Sequence, residues 1–210
     1  MARAERPSSL TGRRERKKAA ARGAVVEAAA RMFVERGFEA TRIDAIAEAA
    51  DVSVGTVYNH FATKSDILQA VMLGDVQAVI ERAAPLAAKP GGDAAAALAV
   101  LVGVLFDVLD VRPRELWRNV VGHALLDPAG SLAASYADVL LRLRDVLVLA
   151  LSALHAQGDL APRWTVEEAA DVAFAIAYAH FHAYVADDAT KAADVKAAVR
   201  HLLEVTFPAT

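Results

Sequence analysis

The stretch Thr41–Lys64, TRIDAIAEAADVSVGTVYNHFATK, decides the fold. It reads as two short helices joined by a tight turn, with a third helix opening just after it. Thr41, with Asp44 three residues on, has the spacing of a capping box for the first helix. Ile43, Ile46 and Ala47 fall on one face at helical spacing, so that face packs inward. The run Ala50, Asp51, Val52 breaks the pattern, and Ser53 caps a second helix running to Phe61, in which Val57 and Phe61 are four residues apart and bury together. The opposite face carries Ser53, Val54, Thr56, Tyr58, Asn59 and His60, side chains that are small or hydrogen-bonding and suit base edges and phosphate oxygens better than a core.

Val52-Ser53, then Gly55-Thr56-Val57-Tyr58, then His60-Phe61, followed by Lys64, resembles the helix-turn-helix of the tetracycline-repressor (TetR) family of bacterial transcription regulators. The resemblance covers about the first third of the chain; beyond Lys64 only the helix count supports it. It implies a DNA-facing set of Arg42, Ser53, Val54, Gly55, Thr56, Tyr58, Asn59, His60 and Lys64. Ser53 and Thr56 are then the candidates for base edges, and Tyr58, His60 and Lys64 for phosphate clamps. Val54 and Gly55 depart from the longer or polar residues that many relatives place there. Direct readout is therefore thin, with Val54 against a thymine methyl and the remaining specificity drawn from DNA shape.

The charge distribution agrees with a nucleic-acid partner. The net charge is −3, yet residues 1–22 hold eight Lys or Arg (Arg3, Arg6, Arg13, Arg14, Arg16, Lys17, Lys18, Arg22) against Glu5 and Glu15, leaving an acidic remainder. Residues 1–10 are expected to be a disordered basic arm, and Arg13, Arg14, Lys17 and Lys18 to add salt-sensitive backbone affinity. Hydrophobic residues make up 56% of the 210, ample for a sizeable core. The chain has no cysteine, which excludes disulfides and thiolate metal sites and agrees with a reducing compartment. The start lacks an apolar signal core and no later run has the length of a membrane span, so a cytoplasmic protein without a membrane partner is expected.

Helical punctuation continues along the chain. A helix from about Thr11 to Arg36, with the stripe Val25, Ala29, Met32 and Phe33, ends at Gly37 in the C′ position. Thr63 with Asp66 opens a helix reaching Ala84 or beyond, the mechanical link from reader to body; a phosphate suits Lys64 in its first turn. Lys89-Pro90-Gly91-Gly92 is a loop, after which Asp93 caps a helix to about Leu109. Further helices run from Pro113 to Leu126, from Ser131 to Gln157, from a Thr165–Glu168 cap to Val185, and from Lys191 to Phe207. The expected class is all-α: a three-helix N-terminal helix-turn-helix DNA-binding domain over residues 11–62 and a six-helix regulatory and dimerisation domain over 63–210.

In the body, Leu116, Val120 and His123 share an inward stripe with Trp117 beside it. A mostly apolar cavity with few polar groups is the usual small-molecule site, and Phe106, Trp117, His123, Tyr136 and Tyr178 are its candidate lining; a core role for His123 and Trp117 is the competing reading. In the segment 174–184, Phe174, Tyr178, Phe181 and Val185 form a bulky stripe, and Ala170, Ala173 and Ala177 a small one that permits close helix approach. With His180 and the apolar Val195, Val199 and Leu202 of the last helix, Ala173 and Ala177 are the candidate dimer contacts in a four-helix bundle, two helices per subunit, which the family resemblance also implies. His180 and His182 point to nearly opposite sides, and Asp127, four residues after His123, sits at a helix end, so no metal is expected. No nucleophile elbow, carboxylate pair or cofactor fingerprint is present, so neither catalysis nor a cofactor is expected.

The leading expectation is a ligand-responsive repressor that binds a palindromic double-stranded operator as a homodimer and is released by a small, mostly apolar effector. The rival, an all-helical small-molecule-binding or scaffolding protein that never touches DNA, leaves the basic arm and the polar face of the Ser53 helix unexplained.

Overall fold

The computed structural model describes residues 9–209, with side chains from residue 12 onward; Arg3, Glu5 and Arg6 of the expected arm lie outside the described residues. Among the described residues there are nine helices and no strand: α1 (Ser9–Arg36), α2 (Ile43–Ala49), α3 (Val54–Tyr58), α4 (Lys64–Ala88), α5 (Ala94–Leu109), α6 (Arg114–Leu126), α7 (Ser131–Gln157), α8 (Val166–Ala186) and α9 (Ala192–Thr206). The chain divides into two units between Val71 and Met72, and α4 crosses the division.

In the first unit, α1 stops where Gly37 takes a left-handed φ of 82°, a conformation that costs glycine little. Thr41 does not cap α2. Its side chain is buried, and Oγ1 donates to the Gly37 carbonyl at 2.7 Å and the Met32 carbonyl at 3.3 Å. It therefore ties the turn after α1 to the last turns of that helix. Arg42 takes the N-cap position of α2 without a side-chain cap. The turn between α2 and α3 is made by Asp51 at φ 53°, a left-handed position that Asp tolerates better than most residues. Ser53 caps α3 as expected, its Oγ accepting from Thr56 N at 3.1 Å. The regular helix ends at Tyr58, so Asn59 and His60 lie in the turn after it and not within a helix to Phe61. Val57 and Phe61 are buried together with Ile46, Ala47, Val25, Ala29 and Phe33.

The second unit is held by α5 against α9 and α7 against α8, with α6 touching both α7 and α8. Asp93 caps α5 through Ala96 N at 2.8 Å, and Thr165 and Glu168 form a full capping box at α8. Leu98, Phe106, Leu151, Leu154, Val199 and Leu203 are fully buried, and each such side chain stabilises the fold by roughly 1.5–3 kcal/mol relative to exposure.

Four of the expected partner contacts are inside this core. Ala173, Ala177, Val195 and Val199 are all 5% exposed or less. The small-residue stripe of α8 and the apolar stripe of α9 close the unit's own interior, so neither faces outward. The exposed faces are instead Ala175, Ala179 and Ala183 on α8, and Leu202 and Val205 on α9; His180 is half-buried, with Nδ1 2.8 Å from the Ile176 carbonyl. No single helix among the described residues is long and apolar enough to cross a membrane.

Candidate nucleic-acid interface and effector cleft

Val57 and Phe61 anchor α3, and this rotates its other face outward. Tyr58 is 54% exposed and Val54 41%; Ser53, Gly55 and Asn59 are exposed as well. Ser53 Oγ and Thr56 Oγ1 lie 2.8 Å apart, so the two hydroxyls are held at a fixed separation. Tyr58 makes no hydrogen bond among the described residues, which leaves its hydroxyl available to a partner. A Cβ added at Gly55 would meet only Ser53 Oγ, at 3.8 Å, so nothing within the chain requires glycine there. Arg42, Val54, Tyr58 and Lys64 share the rim of an open concavity of about 780 Å³ with Glu39 and Asp44.

Two expected phosphate ligands already have partners. Lys64 Nζ donates to the Phe38 carbonyl at 2.7 Å, and the exposed Arg42 guanidinium pairs with the exposed Asp44 carboxylate at 3.0 Å. That exposed pairing lowers the Asp44 pKa and raises that of Arg42, and the salt bridge is weak enough for a phosphate to compete for the guanidinium. His60 is half-buried beside Phe61, their ring centroids 6.2 Å apart. Along α1, Arg13, Arg14, Lys17 and Lys18 are exposed cations.

The second unit contains an apolar cleft of about 410 Å³, counting its open mouth, between α4, α5, α6, α7 and α8. Trp117, Tyr136 and Tyr178 line it; Leu105, Leu143 and Phe181 complete much of the wall. Trp117 donates its indole N–H to the Leu109 carbonyl at 3.2 Å and meets Phe181 edge-on at 5.9 Å. Leu105, Leu143 and Ala177 also line an adjoining apolar pocket of about 380 Å³ that reaches Val102 and Phe174.

Phe106 and His123 do not line either space. Phe106 is fully buried against Tyr184, edge-on at 5.6 Å. His123 is exposed, its Nδ1 2.7 Å from the Asn119 carbonyl in its own helix. The last turn of α6 projects past its neighbours, as the 66% and 87% exposure of Leu125 and Leu126 shows, so helical spacing places His123 on the right face but beyond what covers that face.

His182 is the polar residue that sequence reasoning left out of the site. Its Nε2 is 3.3 Å from the Tyr136 hydroxyl and its ring centroid 4.3 Å from that of Tyr178. The signal was the four-residue spacing from Tyr178. Burial lowers the His182 pKa; burial and the neighbouring Tyr178 hydroxyl hold the Tyr136 phenol protonated far above the neutral range. Among the described residues no group of three His, Asp or Glu could hold a metal ion.

Residues 25–71 match the family of bacterial regulatory proteins, tetR family. The HTH-type transcriptional repressor KstR2 of Mycobacterium tuberculosis is 42% identical over 53 residues, a stretch covering 25% of this chain and 26% of that protein. The chain thus spans about a quarter of the length of this curated relative. A Mesorhizobium loti chain assigned to the TetR-family regulators shares the fold with a TM-score of 0.71 at 21% identity, over 90% of this chain and 97% of that one. A Saccharomonospora viridis chain assigned as a transcriptional regulator, solved in complex with choline, does so with a TM-score of 0.67 at 21% identity, over the same shares, 90% and 97%. With its Ser53-capped α3 turned outward on two buried anchors, the stretch 25–71 is matched to the DNA-binding unit of the bacterial regulatory proteins of the tetR family, and the chain as a whole shares its fold with structures assigned to TetR-family regulators.

Proposed function

We propose that the chain is a ligand-responsive repressor, not an enzyme, which binds a palindromic operator as a homodimer and releases it when a small, mostly apolar effector enters the cleft of the second unit. The observation that carries the reading is the outward face of α3, where Ser53, Val54, Gly55 and Tyr58 stand exposed and Thr56 half-buried while Val57 of the same helix is fully buried. Two copies of that face, one per subunit, enter successive major grooves roughly 34–36 Å apart. Thr56 and Ser53 approach base edges, Tyr58, His60, Arg42 and Lys64 the phosphates, and the cations of α1 add affinity that falls with salt. The repressor sign follows the matched KstR2.

Induction needs an effector with different affinities for the DNA-fitting and non-fitting arrangements of the dimer. α4 is placed for this role, since it begins at Lys64 and contributes Val76 to the cleft. Fluorescence anisotropy with duplexes drawn from the DNA flanking the chain's own coding region tests the reading. The expected result is saturable, salt-dependent binding of two chains per site to one of these duplexes. Equally weak binding to every duplex at low salt, or none, would overturn it in favour of a helical ligand-binding protein.

A further inference from the structure

We propose that the cleft selects an uncharged lipophilic effector carrying a single hydroxyl or carbonyl oxygen, an alcohol, phenol or ketone, whose polar end is held by the Tyr136 and Tyr178 hydroxyls with His182 behind them. The inference rests on the effector reading above and specifies its chemistry.

The wall decides the first half. Among the residues lining the cleft, Val76, Leu105, Leu109, Val139, Leu140 and Leu143 are aliphatic, the rest are Trp117, Ala177, Phe181 and the two tyrosines, and none carries a charge. Four arginines of the same unit are already engaged, and none lines the cleft. Arg112 pairs with Asp75 at 2.9 Å, Arg118 with Asp188 and the Val185 carbonyl, Arg114 with the carbonyls of Asp187 and Thr190, and Arg142 with Gln77. A carboxylate entering this space loses its water and finds no counter-charge, so its desolvation is strongly unfavourable.

The polar end decides the second half. Tyr136 and His182 are within hydrogen-bonding distance at 3.3 Å, and when the phenol donates to Nε2 its oxygen keeps lone pairs free toward the cleft. The Tyr178 hydroxyl supplies a rotatable donor beside it. One acceptor and one donor, fixed at the edge of an otherwise apolar space, complement an alcohol or phenol, and the donor alone a ketone. A ligand oxygen placed there gains hydrogen bonds that an analogue lacking it does not make, so the oxygen-bearing ligand is preferred. His182 remains neutral near pH 7 because its burial disfavours the cation, so it offers no charge to an anion either.

Calorimetric titration of the full chain at pH 7.5 with 4-butylphenol, butylbenzene and 4-butylbenzoate tests this. The expected result is that the phenol binds at least tenfold tighter than either other probe, and that Tyr136→Phe reduces its advantage over butylbenzene to about twofold or less. Tyr178→Phe provides a second variant, with a weaker loss, should Tyr136→Phe melt early. Tightest binding by 4-butylbenzoate overturns the chemical class and leaves the effector reading standing. A phenol advantage that survives both substitutions overturns the assigned polar end. Binding of none of the three overturns the effector reading of the cleft together with this inference.

Discussion

The ammonium of Lys64, in the first turn of α4, donates to the Phe38 carbonyl at 2.7 Å and the Glu39 carbonyl at 3.2 Å, and sits 4.3 Å from the centroid of the Phe38 ring. A residue that the family resemblance makes a phosphate clamp thus also ties the α1–α2 turn to the start of α4. An ammonium has three N–H donors, and two are taken here, so one is left for DNA.

Lys64→Met keeps the aliphatic stem over Phe38 and removes the donors. The expected outcome is about 1–2 kcal/mol lower stability, since hydrogen bonds to a charged group are lost while the half-open carbonyls regain water, together with weaker operator binding. Urea midpoints and anisotropy titrations on the same preparations separate the two effects. An unchanged midpoint with weakened binding would reduce Lys64 to a phosphate contact alone.

Gly55→Ala isolates the outer face of α3. Within the chain the new methyl meets nothing closer than Ser53 Oγ at 3.8 Å, and alanine is favoured over glycine inside a helix by roughly 0.5–1 kcal/mol. The variant should melt no earlier than the parent and bind operator at least tenfold less tightly, because on the proposed docking the methyl stands where a DNA backbone or base edge approaches. Melting and gel-shift measurements decide it; undiminished affinity would place the DNA away from Gly55.

The reading helix, the caps at Ser53, Thr63, Asp93 and Thr165, and nearly every helix boundary were legible because each is written in local chemistry: a short oxygen side chain, a glycine at positive φ, an apolar stripe. Thr41 misled because its hydroxyl has two possible clients, and the carbonyls at the end of α1 were nearer than the start of α2. The dimer and cleft residues were harder for a different reason. Periodicity shows that Ala173, Ala177, Val195 and Val199 share stripes, but not whether the cover comes from the same chain or a second one. His123 shows the same gap at a helix end, where the stripe continues and its neighbours do not.

His182 gives a pH prediction with a definite sign. Burial lowers its folded pKa below the ordinary value of 6.5, so in that window the unfolded chain binds more protons than the folded one and stability rises with pH. The penalty is absent above about pH 7 and grows as pH falls through 6.5 toward the lower folded pKa. Melting temperatures of His182→Gln should therefore fall less than those of the parent between pH 7 and 5. Parallel profiles for the two proteins would show that His182 does not titrate differently on folding.

Arg112 and Asp75 form a bidentate pair, 2.9 Å on both arms, joining α4 to the segment after α5, and both side chains are at least four-fifths shielded from water. The neighbouring Val76 and Leu109 line the cleft, so the pair fixes one corner of it. Removing one partner strands a largely desolvated charge. Asp75→Asn and Arg112→Met should each cost about 1–3 kcal/mol, and the double variant less than their sum. Urea unfolding of all four proteins measures the coupling, and strict additivity would mean that the pair contributes nothing beyond its separate side chains.

The outward faces of α8 and α9 carry the prediction on assembly. Val205 is 66% exposed and Leu202 38%, and the adjacent surface of α8 presents Ala175, Ala179 and Ala183, whose small side chains let another helix come close. If two subunits meet there, sedimentation of Val205→Glu should report a monomer with the parent's melting temperature at low concentration, and operator affinity should drop by at least a hundredfold, because one reading helix no longer holds its twin at the second half-site. Val199→Ala is the contrasting variant: its side chain is fully buried in its own subunit, so it should lower stability by roughly 2 kcal/mol through the cavity it leaves and change the association state little. A Val205→Glu protein that still sediments as a dimer would move the interface to other surfaces, of which the exposed Leu141 and Leu149 along α7 are the next apolar candidates.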